Sequence, residues 1–477
     1  MRRGRVALLV ELLGLLGACA SKSAPMATDA GADARAVFDG GVLQSMAFTH
    51  PTIRDIDVLF VIDDAPGMAR AQGKLIAALP AFTDTLKNLP AGYPNLQVGI
   101  ISADLGSGED QSLGCNFGGD RGVLWSTPRG ACAATGLPFG QNFFSIIDGK
   151  PNFDPKLNLA DALACVAVQD DVGCQFPHPL ASVLRALGLD GMAAPPENAG
   201  FLRPGAFLSI ILLTNQDDCS APAGSFLFSS DSQVVSDMLG PLTSFRCAEY
   251  GLLCDGVPPP RTKAGKLSNC QSAEDGMLEK ISDVVASLKT LKADPNMLLV
   301  AALAGPAEPV TVQLGPPGVS FDPSPWPSLA PSCASPDGVT ARPGVRIEQW
   351  VYAFGHNGVL ATPCDDSYAS SLQSIAQSIA AVIGPPCLDA RIATTAGPHG
   401  PRPDCTVTDY SNGAQTGTPI PSCVDAGDVG PCWTLTNAAA CPGGKLLGFQ
   451  SPANGLDSSV QCTVCSDPRD PRCPDHI

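Results

Sequence analysis

The sequence predicts an α/β protein in which a doubly wound sheet carries helices on both faces and is followed by a small cysteine-rich domain. From about residue 51 to 388, short apolar runs typical of buried strands alternate with longer segments of helical apolar spacing. An acidic pair follows the first run, where open α/β sheets place their ligands. From residue 389 to 477, closely spaced cysteines and polar turns indicate a domain held more by disulfides than by a core.

The amino terminus has the pattern of an export signal. Three arginines in the first five residues precede an apolar run over 6–16, which is shorter than the roughly 20 residues that span a bilayer. The run ends in Leu16-Gly17-Ala18-Cys19, which resembles a bacterial lipobox. The resemblance implies a signal peptide over 1–18, a lipid on Cys19 and an envelope location, with Ala20 favouring the outer over the inner membrane. An ordinary cleaved signal with an incidental cysteine is the alternative.

The segment 19–50 is rich in Ala, Asp, Gly and Ser without a sustained apolar period, which predicts a flexible tether. The domain at 51–388 follows it. Its predicted strands cover 57–62, 96–102, 207–214, 297–303 and 347–354.

Three segments of the same domain have helical periodicity. Apolar residues share one face over 75–86, although Pro80 should kink or split that helix. The spacing also predicts helices over 277–291 and 368–382, the second with Asp366 or Ser367 as its N-cap. The segments 104–155 and 306–343 are rich in glycine or proline and predict disulfide-pinned loops over the sheet, where binding is common.

Nineteen cysteines fit an oxidising, exported environment. Without Cys19, ten lie between 115 and 364 and eight between 387 and 473, so each region can close its own bridges. Connectivity does not follow from the sequence. Candidate short-range pairs join Cys165 to Cys174 and Cys247 to Cys254. The Cys462-Thr463-Val464-Cys465 spacing predicts structural disulfides rather than a zinc or redox site, because it lacks a second close pair and a βαβ context.

The run from Asp57 to Met68 resembles the opening of a von Willebrand factor type A domain (VWA domain), a Rossmann-like fold. In that family the turn reads Asp-x-Ser-x-Ser, and its hydroxyls, with a later Thr and Asp, hold a magnesium-type cation. Here Asp63 matches the acidic position, whereas Ala65 and Gly67 replace the serines. The strand that should end in Thr-Asp reads Thr214-Asn215, which makes the metal site of the resemblance degenerate.

Asp63, Asp217 and Asp218 are the candidate metal ligands, because they follow strands whose carboxyl ends meet at one edge. Calcium or magnesium would suit such oxygen ligands. The alternative is that Asp63 caps the following helix and the other two occupy a solvated turn.

The leading functional hypothesis is a non-enzymatic, lipid-anchored envelope protein that presents a metal-independent surface to a protein ligand and requires no cofactor. One alternative is a calcium- or magnesium-assisted adhesin that uses the acidic strand ends, and another is an envelope hydrolase using clustered carboxylates. A formal net charge of -17 without clustered basic residues argues against nucleic acid as a partner.

Overall fold

The structure is a computed structural model. It describes the backbone of residues 36–38 and 41–49, and residues 55–89, 93–108, 113–128, 132, 134–168, 171–383, 387–389, 391–411, 417–427, 430–437, 444–450, 456–465 and 472–473. The signal peptide, Cys19 and Ala20 lie outside the described residues.

A mixed seven-stranded sheet forms the centre of the domain. Its order is β7-β6-β5-β1-β2-β3-β4, in which neighbours from β7 to β2 are parallel and β3 and β4 add antiparallel pairs. The first strand therefore lies in the middle. The strands are β1 (Asp55–Ile62), β2 (Asn95–Ser102), β3 (Phe144–Ile147), β4 (Lys150–Pro151), β5 (Phe207–Leu213), β6 (Leu298–Leu303) and β7 (Gly358–Ala361).

Helices cover both faces of this sheet. The first, second and seventh helices contribute to the apolar core on one face, and the third, fifth and sixth to the core on the other. They are α1 (Ala69–Lys87), α2 (Leu159–Ala167), α3 (Pro179–Leu187), α4 (Phe245–Gly251), α5 (Ile281–Lys289), α6 (Val345–Tyr352), α7 (Ala369–Ile383) and α8 (Cys423–Ala426). Single 3₁₀ turns occupy Pro196–Asn198, Phe226–Phe228, Pro295–Met297 and Gly355–Asn357.

Alternation along β1 supplies both cores. Val58 and Phe60 pack on the α1 side, whereas Leu59 and Val61 pack on the α3 side. Successive strand residues point to opposite faces, so a strand covered on both faces must be continuously apolar. That requirement explains the uninterrupted run in the sequence, and it places the residues after Ile62 at the carboxyl edge of the sheet, where β2, β5 and β6 also end.

Four of the five predicted strands are present, but the prediction of a strand over 347–354 is wrong. This segment lies largely in α6, and the last strand of the sheet is β7. Ile347, Trp350 and Val351 are all buried, and their spacing of three and four residues is helical. The segment is short and rich in apolar residues, so its composition resembles that of a buried strand.

The predicted helices are present with shifted bounds. α1 runs without interruption through Pro80, so the helix is not split there. α5 begins at Ile281, and Met277 precedes it in a turn. At the start of α7, the Ser367 hydroxyl accepts a hydrogen bond from the Ala369 amide.

All four cysteines of the candidate short-range pairs form disulfides, but with other partners. The four bonds are Cys132–Cys165, Cys115–Cys174, Cys219–Cys247 and Cys254–Cys270. The predicted pairs Cys165–Cys174 and Cys247–Cys254 are therefore wrong, because the fold brings cysteines of other loops together. Further bonds join Cys333–Cys364, Cys405–Cys462, Cys423–Cys432 and Cys465–Cys473, so both cysteines of the Cys-x-x-Cys segment are in structural disulfides.

The cysteine-rich region contains a five-stranded sheet that includes part of the predicted tether. Gly41–Thr49 pairs along its whole length with Leu456–Cys465, so these residues form a strand instead of a flexible segment. The sheet order is Ala36–Phe38, Gly41–Thr49, Leu456–Cys465, Cys405–Ser411 and Thr418–Ile420. A three-stranded sheet orders Cys387–Asp389, Gly444–Gln450 and Cys432–Asn437, and Thr394–Gly397 pairs with Gly400–Pro403.

Small sheets also occur in the insertions after β5 and β6. Leu252–Cys254 pairs with Cys270–Ser272, and Cys333–Ala334 pairs with Thr340–Ala341. Gly265–Leu267 joins Val310–Gly315 and Trp326–Leu329 in a three-stranded sheet.

Candidate functional site

Asp63 lies at the carboxyl end of β1, fully buried, with both carboxylate oxygens engaged. Oδ1 accepts a hydrogen bond of 2.8 Å from the Ala65 amide, and Oδ2 accepts one of 2.7 Å from the Thr214 hydroxyl. Burial raises the pKa of Asp63 to about 6, and the Thr214 bond opposes that rise. The carboxylate thus holds the β1 turn against the end of β5.

The residues around this turn do not fit the cation implied by the VWA resemblance. Ala65 and Gly67 bring no side-chain oxygen, and Gly67 has a φ of +95°, which disfavours any residue with a Cβ. Asp63 is the acidic residue of this turn, and its carboxylate is already hydrogen-bonded within the protein to Ala65 and Thr214.

A buried group of carboxylates lies beside Asp63. Burial, reinforced by the neighbouring charges of Asp63, Asp104 and Asp120, raises the pKa of Asp64 to about 8. Burial also raises the pKa of Asp104 to about 6, against a hydrogen bond of 2.6 Å from the Gly106 amide. Like charges so close disfavour simultaneous ionisation, so Asp64 is largely protonated at neutral pH.

Two glycines cover these carboxylates closely. A Cβ on Gly173 would lie 2.3 Å from the carboxyl carbon of Asp64, and one on Gly119 would lie 2.5 Å from Oδ1 of Asp104. The Gly173 amide also donates to the Asp64 carbonyl. Loop backbone therefore lies directly over the acidic group and separates it from solvent.

Asp217 and Asp218 have partners different from those of Asp63. Both oxygens of Asp217 accept from the Arg346 amide at 3.1 Å, and Oδ1 also accepts from the Ile347 amide, at the amino terminus of α6. Asp218 is fully buried and forms an ion pair of 3.0 Å with the Arg346 guanidinium. These two carboxylates thus fasten α6 to the end of β5 and do not occupy a solvated turn.

Metal binding by Asp63, Asp217 and Asp218 stays a prediction. In the part of the chain that the structure describes, no three or more His, Cys, Asp and Glu side chains are grouped so that they could hold a metal ion.

His178 immediately precedes α3. Its side chain is buried edge-on against Phe228, with 5.3 Å between ring centroids, and its amide donates to the Ala103 carbonyl. Burial lowers the pKa of His178 to about 4. It is therefore neutral, and it packs at the start of α3.

The loops that cover the acidic group are joined by the Cys115–Cys174 bond, whose Cα atoms are 4.0 Å apart. Phe117 follows the first cysteine by two residues, and Val172 precedes the second by two. Their exposed fractions are 68% and 74%. Two large apolar side chains therefore face solvent on a cross-linked pair of loops at the carboxyl edge.

Sequence reasoning missed Arg346, the partner of Asp218. The residue lies in the segment that was predicted to be a strand, and its partner is 128 positions away in sequence. A helical reading of Ile347, Trp350 and Val351 would have placed Arg346 in the first turn of a helix. The pairing of Arg346 with Asp218 cannot be recognised from the residues next to either one in the sequence.

Comparison with known proteins gives only distant structural likenesses. The chain matches no protein-family model and no curated protein. The pilus adhesin SpaC from Lactobacillus rhamnosus GG, in its open conformation, matches at 13% identity with a TM-score of 0.31, over 90% of this chain and 42% of SpaC. The adhesive tip pilin GBS104 from Group B Streptococcus agalactiae matches at 8% identity and 0.30, over 92% of this chain and 82% of GBS104.

The pilus adhesin RrgA from Streptococcus pneumoniae is a third such likeness, at 9% identity and a TM-score of 0.27, over 89% of this chain and 58% of RrgA. The chain thus spans less than half the length of SpaC. These TM-scores are too low to establish a shared fold. Within the described residues, no helix combines the length and apolarity needed to cross a bilayer.

Proposed function

We propose that this protein is a lipid-anchored envelope protein with a degenerate, doubly wound VWA-like domain. Its function is to bind a protein ligand, without catalysis and without a metal, through the loops at the carboxyl edge of the central sheet. The lipobox-like Leu16 to Cys19 supports the anchor, and the order of parallel strands around β1 supports the domain assignment.

The distribution of exposed apolar side chains is the observation that carries this proposal. Most of the large exposed apolar residues lie in the loops and insertions associated with the carboxyl edge. Single exposed apolar residues are common, but a concentration of them at one edge is typical of an interaction surface, and disulfides hold several of these loops in place. The residues concerned are Phe117, Phe139, Val172, Phe226, Met238, Val257, Leu314 and Phe321.

The bonding of Asp63 supports a metal-independent surface. Each oxygen of Asp63 already accepts a hydrogen bond, from the Ala65 amide or the Thr214 hydroxyl, which leaves the carboxylate less free to turn towards a cation. The missing side-chain oxygens at Ala65 and Gly67 support the same conclusion. Calcium added to the purified protein should therefore leave its melting temperature unchanged, and a clear upward shift would favour the metal-assisted alternative.

The chain connections support an orientation with this edge away from the membrane. Residues 50–54 separate the strand Gly41–Thr49 from the start of β1, at the amino edge of the sheet. α7 follows β7 and returns to the same edge, and three residues separate its end from Cys387. Both connections to the cysteine-rich region thus leave the edge opposite Asp63. An anchor at Cys19 joins the chain through that region, so the binding loops face outward.

The envelope-hydrolase alternative draws on the raised pKa of Asp64, since a carboxyl group protonated near neutral pH can serve as a general acid. Gly173, however, packs against that carboxyl group and separates it from a substrate. The geometry therefore favours binding over hydrolysis.

Cross-linking on intact cells tests the proposal. Neighbours of the tagged full-length protein should be identified by mass spectrometry and compared with those of an unrelated lipoprotein. We expect one or more proteins to be enriched specifically, with no loss after chelation of divalent cations. A neighbour profile identical to that of the unrelated lipoprotein would overturn the proposal.

A further inference from the structure

Two stretches of the insertions at the carboxyl edge are acidic and contain no basic residue, although Arg246, Arg261, Lys263 and Lys266 follow the first stretch in the same insertion. Residues 214–245 follow β5 and residues 304–341 follow β6, and neither segment contains lysine, arginine or histidine. Their carboxylates include Asp231, Asp237 and Asp322. A surface built from these segments therefore attracts cationic partners and repels anionic ones.

The first insertion is organised by a buried arginine that has no carboxylate among its hydrogen-bond partners. Arg246, in α4, is 1% exposed and donates only to backbone carbonyls in the bonds described. Because one guanidinium bonds both to Leu227 and to Gly240, it draws the two ends of the loop 226–241 together. The five carbonyls belong to Leu227, Ser229, Ser232, Gly240 and Pro241.

A second arginine holds the other side of the same loop. Arg261 donates to the carbonyls of Val235, Asp237 and Met238, and it forms an ion pair of 2.8 Å with Glu249. With its backbone acceptors turned to two guanidiniums, the loop is fixed before any ligand binds. Fixed loops bind with a smaller entropic cost than mobile ones.

Large apolar side chains project from this fixed backbone. Met238 is 71% exposed, and Phe226 is exposed at the opposite end of the loop. On the second insertion, Phe321 is 70% exposed and precedes Asp322, whose carboxylate is close enough to the Val235 amide for the contact to lower its pKa. The two insertions are therefore adjacent at this point.

The neighbouring carboxylates are charged at neutral pH. Hydrogen bonds from the amides of Val234 and Gln233 lower the pKa of Asp237. Hydrogen bonds from Ser324 lower the pKa of Asp322, and their effect is larger than that of the Val235 amide. The exposed apolar groups thus lie beside permanent negative charge.

We propose that Phe226, Met238 and Phe321, with Asp231, Asp237 and Asp322 around them, form a docking surface for a cationic, apolar segment of another protein. This inference rests on the proposed binding function and names the partner's chemistry. Charge complementarity favours lysine- or arginine-rich segments, and apolar side chains of the partner cover the exposed Met and Phe groups. Anionic lipid is disfavoured by the same charges.

Binding of a synthetic probe tests this surface. The probe is a fluorescent peptide of lysine and leucine in amphipathic order, and the matched control is a glutamate and leucine peptide of equal length. Fluorescence anisotropy with the purified full chain should show salt-sensitive binding of the lysine peptide alone. The double substitution Met238→Ser and Phe321→Ser should weaken binding at least tenfold, about 1.4 kcal/mol, and Asp231→Asn should weaken it severalfold.

Matched substitutions elsewhere serve as controls. Met192→Ser and Asp148→Asn change an exposed apolar residue and an exposed acid on other parts of the domain, and neither should alter binding. Thermal melts should show all variants folded. The inference is overturned if the lysine peptide does not bind, if the control variants weaken it equally, or if the protein instead binds phosphatidylglycerol vesicles.

Cross-linking in cells can test this docking surface separately from the proposed binding function. A photo-reactive amino acid at position 321 should cross-link a protein neighbour that one at position 192 does not. Cross-linking at position 172 but not at 321 would overturn this surface and leave the proposed function standing. No specific cross-link at either position would overturn both.

Discussion

At the scale of single residues, Asp64 couples folding to pH. Its pKa is raised from 3.8 to about 8 by burial and by the adjacent carboxylates. Between these values the folded protein retains a proton that the unfolded chain has released. The contribution of Asp64 to stability is therefore greatest below the unfolded pKa and falls as pH rises towards 8. Asp63 and Asp104, each with a pKa of about 6, add to this loss up to that pH.

Asp64→Asn should remove the largest single contribution to this pH dependence. The amide cannot ionise, so at pH 8 the variant should exceed the wild type in free energy of unfolding by at least about 2 kcal/mol, given about 1.4 kcal/mol per pKa unit. At pH 4 the two proteins should differ little. Urea unfolding across this range provides the measurement, and parallel profiles for both proteins would refute the assignment.

Arg346 contributes stability by neutralising Asp218 in the interior. Arg346→Met leaves a fully buried carboxylate unpaired and should lower the free energy of unfolding by about 3 to 5 kcal/mol. Adding Asp218→Asn to that variant should restore part of the loss.

The partly exposed pair Arg185–Asp190 is a matched control for that experiment. Arg185→Met should cost no more than about 1 kcal/mol, because solvent screens that pair. Equal losses for the two arginine variants in urea unfolding would show that burial of the Arg346 pair has no special effect.

At the scale of elements, the sequence predicted those strands that are buried on both faces. β1, β2, β5 and β6 were recognised because their short, largely apolar runs have no helical spacing. α6 was missed because Ile347, Trp350 and Val351 are crowded into one short segment, and short segments leave the period ambiguous. Asp63 was placed correctly at the strand end, whereas Arg346 was not recognised because its pairing depends on tertiary structure.

The Cys115–Cys174 bond is the element-level constraint on the binding loops. The double substitution to serine should speed hydrogen exchange at 113–119 and 172–175, since the two loops are then no longer joined. Exchange in β1 and α1 should stay unchanged, because their cores do not include either cysteine.

Cys132→Ser with Cys165→Ser removes a neighbouring bond that does not join those loops. Exchange at 172–175 should be unaffected in that control. Equal acceleration in both double variants would mean that the insertion as a whole, rather than this one bond, fixes the loops.

At the scale of the whole molecule, connectivity gives the protein two ends. The chain leaves the cysteine-rich region after the strand Gly41–Thr49 and returns to it after α7. Both connections lie at the amino edge of the central sheet. The disulfide-pinned insertions leave from the opposite edge. This arrangement could not be predicted from local sequence patterns, because the pairing of Gly41–Thr49 with Leu456–Cys465 spans almost the entire chain.

Site-specific photo-cross-linking on intact cells, with and without a chelator of divalent cations, tests the central claim most directly. A photo-reactive group at position 172 lies on the carboxyl-edge loops, and one at position 192 follows α3 at the other edge. We expect a specific protein adduct from position 172 only, at equal yield with the chelator. An adduct from position 192 alone, or one from 172 that disappears with the chelator, would contradict a metal-independent binding surface at this edge.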